Sequence, residues 1–219
     1  MAIVVREGNL GLYYTSERNT SAPLNESQRK VNATYIYKFF KDKGWTVNAI
    51  ASMLGNLQHE SSLNPGRWQS DIIGSGGGGG YGLVQWTPYT NYTNWVDNNN
   101  LGNWESLDNN LARIEYEFEN GLQYYATDSY PESFYEFSRS TKDLSYLTTA
   151  FLRNYERAGV EALDTRINYS NAWYTYLTSG EEPPQVIEPV DPGTGGTTTL
   201  RKKKKYKFLL FNKRRDRKW

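Results

Sequence analysis

The stretch GNLQHESSLNPGRW, from Gly55 to Trp68, decides how this chain is read, and GYGLVQWTP, from Gly80 to Pro88, completes it. Upstream of Glu60, the residues Val47, Ile50, Met53, Leu54 and Leu57 recur at helical spacing, with Thr46 as a natural N-cap. A helix advances about 100° per residue, which sets Glu60 within about 20° of Met53 and at the edge of that apolar stripe. A carboxylate at this position lies against the core and at the C-terminal end of its helix, where the macrodipole disfavours negative charge. Both effects are expected to raise its pKa, the condition a general acid requires near neutrality.

Working outward, Val31, Ile36, Phe39 and Phe40 mark a helix that begins near Glu26 and ends at Gly44. Residues 61–85 read as loop, with two short apolar pieces expected to pair as a small hairpin. Helical spacing returns after Pro88 with Tyr92, Trp95 and Val96, and again with Leu107, Leu111, Ile114 and Phe118, closed by Gly121. Two later helices carry Leu144, Leu147, Phe151 and Tyr155, then Tyr169, Trp173, Tyr176 and Leu177. The expectation is a mostly α fold with a small β-hairpin or loop insertion. Residues 1–25 read as an extended arm, 26–179 as the folded domain, 180–200 as a Pro-, Gly- and Thr-rich flexible linker, and 201–219 as a basic tail.

Composition narrows the chemistry. The 219 residues contain no Cys and one His, His59, which excludes a disulfide framework, a thiol nucleophile and a Cys/His zinc site. No cofactor or metal is expected, and catalysis must rest mainly on carboxylates, hydroxyls and amides. The run GSGGGGGYG, Gly74 to Gly82, lacks the Lys-Ser or Lys-Thr of a phosphate loop and reads as a loose lip. No apolar run is long enough to span a membrane, and the start, MAIVVREGNLG, lacks the pattern of a signal peptide. The net charge of +1 hides an asymmetry: residues 201–219 hold 11 Lys/Arg against Asp216 alone, leaving 14 Lys/Arg against 23 Asp/Glu in residues 1–200. Such a tail suits an anionic membrane, nucleic acid, wall polymers or a protein partner.

The two motifs, with MLGN (Met53–Asn56) before them and NYER (Asn154–Arg157) after, resemble the lysozyme domains of bacteriophage tail-associated peptidoglycan hydrolases, within the lysozyme and lytic transglycosylase superfamily. The resemblance runs from about Val31 to Leu177. It implies a lysozyme-like α+β catalytic domain that cleaves the glycan strands of peptidoglycan, carried in the phage tail and acting at the host wall during genome delivery. Glu60 becomes the acid that protonates the glycosidic oxygen, and Asp71 the natural second carboxylate. Gln85, Trp86 and Tyr81 are expected to line the sugar cleft, with Tyr155 as a further substrate-binding candidate, since flat aromatic faces stack on pyranose rings. Glu156, within NYER, is read as pairing with Arg153 or Arg157, and His59 as a rim residue. Other phage tail proteins are the implied partners, reached through the N-terminal arm or the basic tail. Hydrolysis and lytic transglycosylation both remain open, as do a free endolysin acting in host lysis and a non-catalytic structural or glycan-binding module.

Overall fold

The computed structural model describes the backbone of residues 3–8 and 11–16, and residues 24–69, 79–159, 161–182 and 184. Asp71, most of the glycine run, the linker beyond Pro184 and the basic tail lie outside the described residues. Among the described residues no helix is long and apolar enough to cross a membrane.

The N-terminal segment is a correction to the sequence reading. Residues expected to form an extended arm pair as an antiparallel hairpin, β1 (Ile3–Gly8) with β2 (Gly11–Ser16), in register from Ile3 opposite Ser16 to Gly8 opposite Gly11. Seven α-helices follow among the described residues: α1 (Glu26–Asp42), α2 (Val47–Ser61), α3 (Thr90–Asn98), α4 (Leu107–Asn120), α5 (Phe134–Arg139), α6 (Leu144–Phe151) and α7 (Leu163–Thr178). A π-helical segment, Leu152–Glu156, continues α6.

The caps explain where the helices start. The Asn25 side chain accepts from the Gln28 amide while the Gln28 side chain accepts from the Asn25 amide, a reciprocal capping box that opens α1. Thr46 Oγ1 accepts from the Ala49 amide and opens α2 as the sequence predicts. The second capping box, Ser133 with Glu136, starts the six-residue α5, which apolar spacing alone does not reveal.

α2 is the axis of the domain. Every residue from Ala49 to Leu57 is buried, so this helix is covered on all sides rather than along one stripe. α7 lies closely against it. A Cβ on Gly55 would stand 2.0 Å from Ser170 Oγ and 2.6 Å from the Arg166 carbonyl oxygen, so only glycine permits this approach. Around the axis the core is largely aromatic: Trp45 packs between Phe40, Phe134 and Phe118, and Phe151 stacks on Tyr155 with ring centres 4.6 Å apart.

Between α2 and α3 the expected hairpin falls partly on residues 70–78, outside the described residues; among the described residues isolated antiparallel bridges join Trp68 with Tyr81 and Tyr81 with Trp86. These bridges join the two motifs. The Gln69 amide donates to the Gly80 carbonyl at 2.8 Å, and the Gly82 amide donates to the Arg67 carbonyl at 2.9 Å.

Candidate active site

Glu60 occupies the last turn of α2, and the chain leaves the helix through Ser62 and Leu63, both with positive φ, at 55° and 57°. Leu63 is fully buried, and its carbonyl accepts from Asn32 Nδ2 at 2.8 Å, which fixes the strained turn against α1. The Glu60 side chain retains 17% of its surface, and its Oε1 accepts from Arg166 Nη2 at 2.6 Å. Sequence reasoning placed Glu60 against apolar surroundings and missed this guanidinium.

Arg166 is held from several directions. Only 1% exposed, it donates from Nη1 to Asn56 Oδ1 at 3.2 Å and from Nε to the Glu161 carbonyl at 2.8 Å. Asn56 is itself fixed, donating to the carbonyls of Ser52 and Thr148 at 3.0 and 3.1 Å. The cation beneath Glu60 is therefore preorganised by α2, α6 and the segment leading into α7.

A second carboxyl, Glu156, is the last residue of the π segment. Its Oε1 is sealed from solvent without a hydrogen-bond partner. Burial pushes the Glu156 carboxyl well above the usual carboxylate range, and the charge of Glu60 pushes the same way, against the pull of Arg166. The pairing expected for Glu156 is not what the structure has: Arg153 bonds Glu161, and Arg157 Nη1 donates to backbone carbonyls at Gln123 and Asn154. Next to Glu60 along the chain, the half-buried His59 has its pKa lowered by burial and by the charge of Arg166, with Glu60 opposing.

A third carboxyl, Glu117 of α4, lies deeper. It accepts from Trp86 Nε1 at 2.9 Å, from Arg113 Nε at 2.8 Å and from the Tyr155 hydroxyl. Burial raises its pKa, while these donors oppose the rise. The same placement holds Trp86 and Tyr155 inside the domain, Trp86 stacked on Tyr92 with ring centres 4.5 Å apart. Tyr81 is also fully buried, between Trp68 and Trp86. Of the four residues expected at the sugar, Gln85 alone keeps appreciable exposed surface, and its Nε2 donates to the Gly82 and Arg67 carbonyls at 2.8 and 3.1 Å. A separate cavity of about 650 Å³, lined by Arg29, Lys30, Gln58, Tyr169, Trp173 and Tyr176, borders none of these residues.

Residues 31–177 match the family model described as phage tail lysozyme. The chain belongs to the phage tail lysozyme family. A curated relative, Morphogenesis protein 1 of Bacillus phage B103, is 40% identical over 158 residues. That alignment takes in 72% of this chain and 42% of the relative, so the chain spans less than half the length of the protein it matches. The family match covers Glu60, Glu117, Glu156 and Arg166 together, and with them the described elements from within α1 to Leu177, one residue short of the end of α7.

Proposed function

We propose that this phage lysozyme-like chain is a glycoside hydrolase that cleaves the glycan strands of bacterial peptidoglycan, with Glu60 as the acid. One observation carries the reading: in a chain of this family, a partly open carboxyl stands at the end of the central helix over a buried, immobilised guanidinium. Glu60 in its protonated form gives a proton to the glycosidic oxygen, the bond from that oxygen to the sugar carbon breaks, and the leaving sugar departs as an alcohol. Arg166 then stands 2.6 Å from the carboxylate that proton donation creates, stabilising the charge as it develops. Glu60 finishes by taking a proton from the attacking water. Asp71, following α2 in the chain, is the second carboxylate of this proposal, supporting positive charge on the sugar or activating that water. Gln85 borders the sugar, and buried Trp86, Tyr81 and Tyr155 support the cleft from within. The enzyme travels in the phage tail and opens the wall locally as the genome is delivered; the relative's name, morphogenesis protein, accords with a particle component.

Digestion of purified peptidoglycan followed by mass spectrometry of the fragments tests this. Reducing sugar ends that vanish with Glu60→Gln are the expected result. Anhydro-sugar ends would show ring closure by the substrate's own hydroxyl instead of water. Intact glycan strands after treatment with folded wild-type protein would overturn the enzymatic reading. Detection of the chain in purified particles tests the tail location against a free endolysin.

A further inference from the structure

The chemistry above leaves the cavity of about 650 Å³ without a task, although its volume is that of a small-molecule site. One wall comes from α7. Tyr169, Trp173 and Tyr176 follow one another at spacings of four and three, which sets them along one stripe of that helix. Trp173 and Tyr176 meet edge to face, with ring centres 5.9 Å apart and planes at 75°. Arg29 and Lys30 of α1 and Gln58 of α2 complete this lining.

The polar groups on these walls fall into two sets. Lys30 is already neutralised: its Nζ stands 2.9 Å from Glu181 and 3.4 Å from Glu26, and 5.1 Å from the centre of the Tyr176 ring. Arg29 gives Nη1 to the Leu24 carbonyl but has no carboxylate partner among the described residues, and its other N–H groups are left to donate. Trp173 is 6% exposed, and its indole N–H has no acceptor. A buried donor in that state is costly, and an acceptor oxygen brought to this wall relieves it.

These walls ask for a ring with apolar faces and acceptor oxygens at its edge. A wholly apolar ligand would leave the Trp173 and Arg29 donors unused, and a polyanion would meet the carboxylates of Glu26 and Glu181. A pyranose with an acetamido group meets both demands, since its C–H faces lie on aromatic rings while its carbonyl and hydroxyl oxygens accept. We propose that this cavity is a second glycan-binding site, holding an N-acetylated amino sugar of the peptidoglycan strand apart from the site at Glu60. The choice of ligand rests on the glycosidase reading. Gln58 and Glu60 lie about 200° apart around α2, so the cavity and the acid use opposite faces of one helix end. A strand held at the cavity keeps the wall at high effective concentration while Glu60 engages the same strand or its neighbour.

Titrating full-length Glu60→Gln with the trisaccharide of N-acetylglucosamine tests the site without cleavage. In nitrogen–proton spectra the Trp173 indole signal, assigned by its loss in Trp173→Phe, should shift saturably. Tyr169→Ala should weaken that binding roughly three- to tenfold, the worth of one aromatic face. Should this variant not fold, Arg29→Gln gives the corresponding loss from α1. A Trp173 signal unmoved at millimolar trisaccharide would overturn the proposal, as would one that responds to inorganic phosphate and not to the sugar. In the otherwise wild-type protein, Tyr169→Ala should reduce retention on purified cell walls while kcat on short soluble glycans stays unchanged. A fall in that kcat would make the cavity part of the catalytic cleft and overturn it as a second site. Cleavage of peptidoglycan without the Trp173 shift would overturn the cavity's role alone, whereas the shift in a folded wild-type protein that leaves peptidoglycan intact would overturn the glycosidase reading alone.

Discussion

Glu60 and Glu117 are both glutamates paired with an arginine, at 2.6 and 2.8 Å, yet their surroundings differ in a way that separates chemistry from support. Glu117 is 1% exposed, with donors from Trp86, Arg113 and Tyr155 occupying its oxygens. Nothing further can reach it, and its role is to tie α4 to the 80–86 turn and the π segment. Glu60 retains 17% of its side-chain surface and stands on a cation that the protein has immobilised in advance. A saturated, sealed carboxyl holds structure together. One that is anchored on one side and open on the other is able to meet a substrate.

The largest effect that would break this contrast concerns rate. Glu60→Gln should leave the thermal transition close to wild type while lowering peptidoglycan cleavage about 10²- to 10⁴-fold, the usual contribution of a positioned general acid. Near-normal clearing in a zymogram would remove Glu60 from the acid's role. Glu117→Gln should do the reverse, retaining most activity where the protein is folded.

Next in size is the removal of the two arginines. Arg166→Met leaves Glu60 and Asn56 without their buried partner, and truncating one side of such a pair costs about 3–5 kcal/mol. Arg113→Met should cost less, about 1–2 kcal/mol, because Trp86 and Tyr155 still donate to Glu117. Urea denaturation of the two variants measures the difference. Equal losses would mean that the Glu60 site is no more preorganised than the structural one.

A smaller, sharper perturbation is available at Gly55. Alanine there would meet Ser170 and the Arg166 backbone, so α7 must move, at about 1–3 kcal/mol for overpacking. The displacement carries Arg166 with it. Activity should therefore fall more than the stability loss explains, read as a drop in kcat at temperatures where the variant is fully folded.

How much of this was legible beforehand follows the same physics. The helices α1, α2, α4 and α7 were visible because apolar residues recur at their period, and Thr46, Gly44 and Gly121 marked their ends. α5 has only six residues, too few to establish a period, although its Ser133-x-x-Glu136 capping box was a usable signal. The N-terminal hairpin carried Gly8-Asn9 between short apolar runs, a turn signal outweighed by the turn formers around it. The prominence of Glu60 was legible from its position at the end of the apolar stripe; its cation was not. Arg166 lies 106 residues away in sequence, and no local pattern joins the two. One hint was present in each case: Arg166 falls seven residues before Trp173, and Glu117 three after Ile114, so both are charged residues on otherwise apolar faces. Trp86, Tyr81 and Tyr155 illustrate the opposite ambiguity, because an aromatic side chain suits a sugar cleft and a core equally well, and only packing decides.

The smallest effect is a pH dependence, and it tests the sealed side of the comparison. Burial raises the Glu117 carboxyl above the ordinary glutamate value of 4.5, despite the three donors. The folded protein therefore keeps a proton on Glu117 over a range in which the unfolded chain has released it. More protons bound in the folded state means that stability falls as pH rises through that range, by at most about 1.4 kcal/mol per pH unit from this one group. Glu117→Gln carries no proton at this position in either state. The stability difference between wild type and Glu117→Gln should accordingly shift against the wild type as pH climbs from 4.5 and level off once the folded carboxyl has ionised. Denaturant titrations of both proteins between pH 4 and 8 provide the comparison, and the other titrating groups cancel to first order in the difference. A difference that moves in favour of the wild type with rising pH would mean that the Arg113, Trp86 and Tyr155 donors outweigh burial, leaving Glu117 ionised and the contrast with Glu60 one of exposure alone.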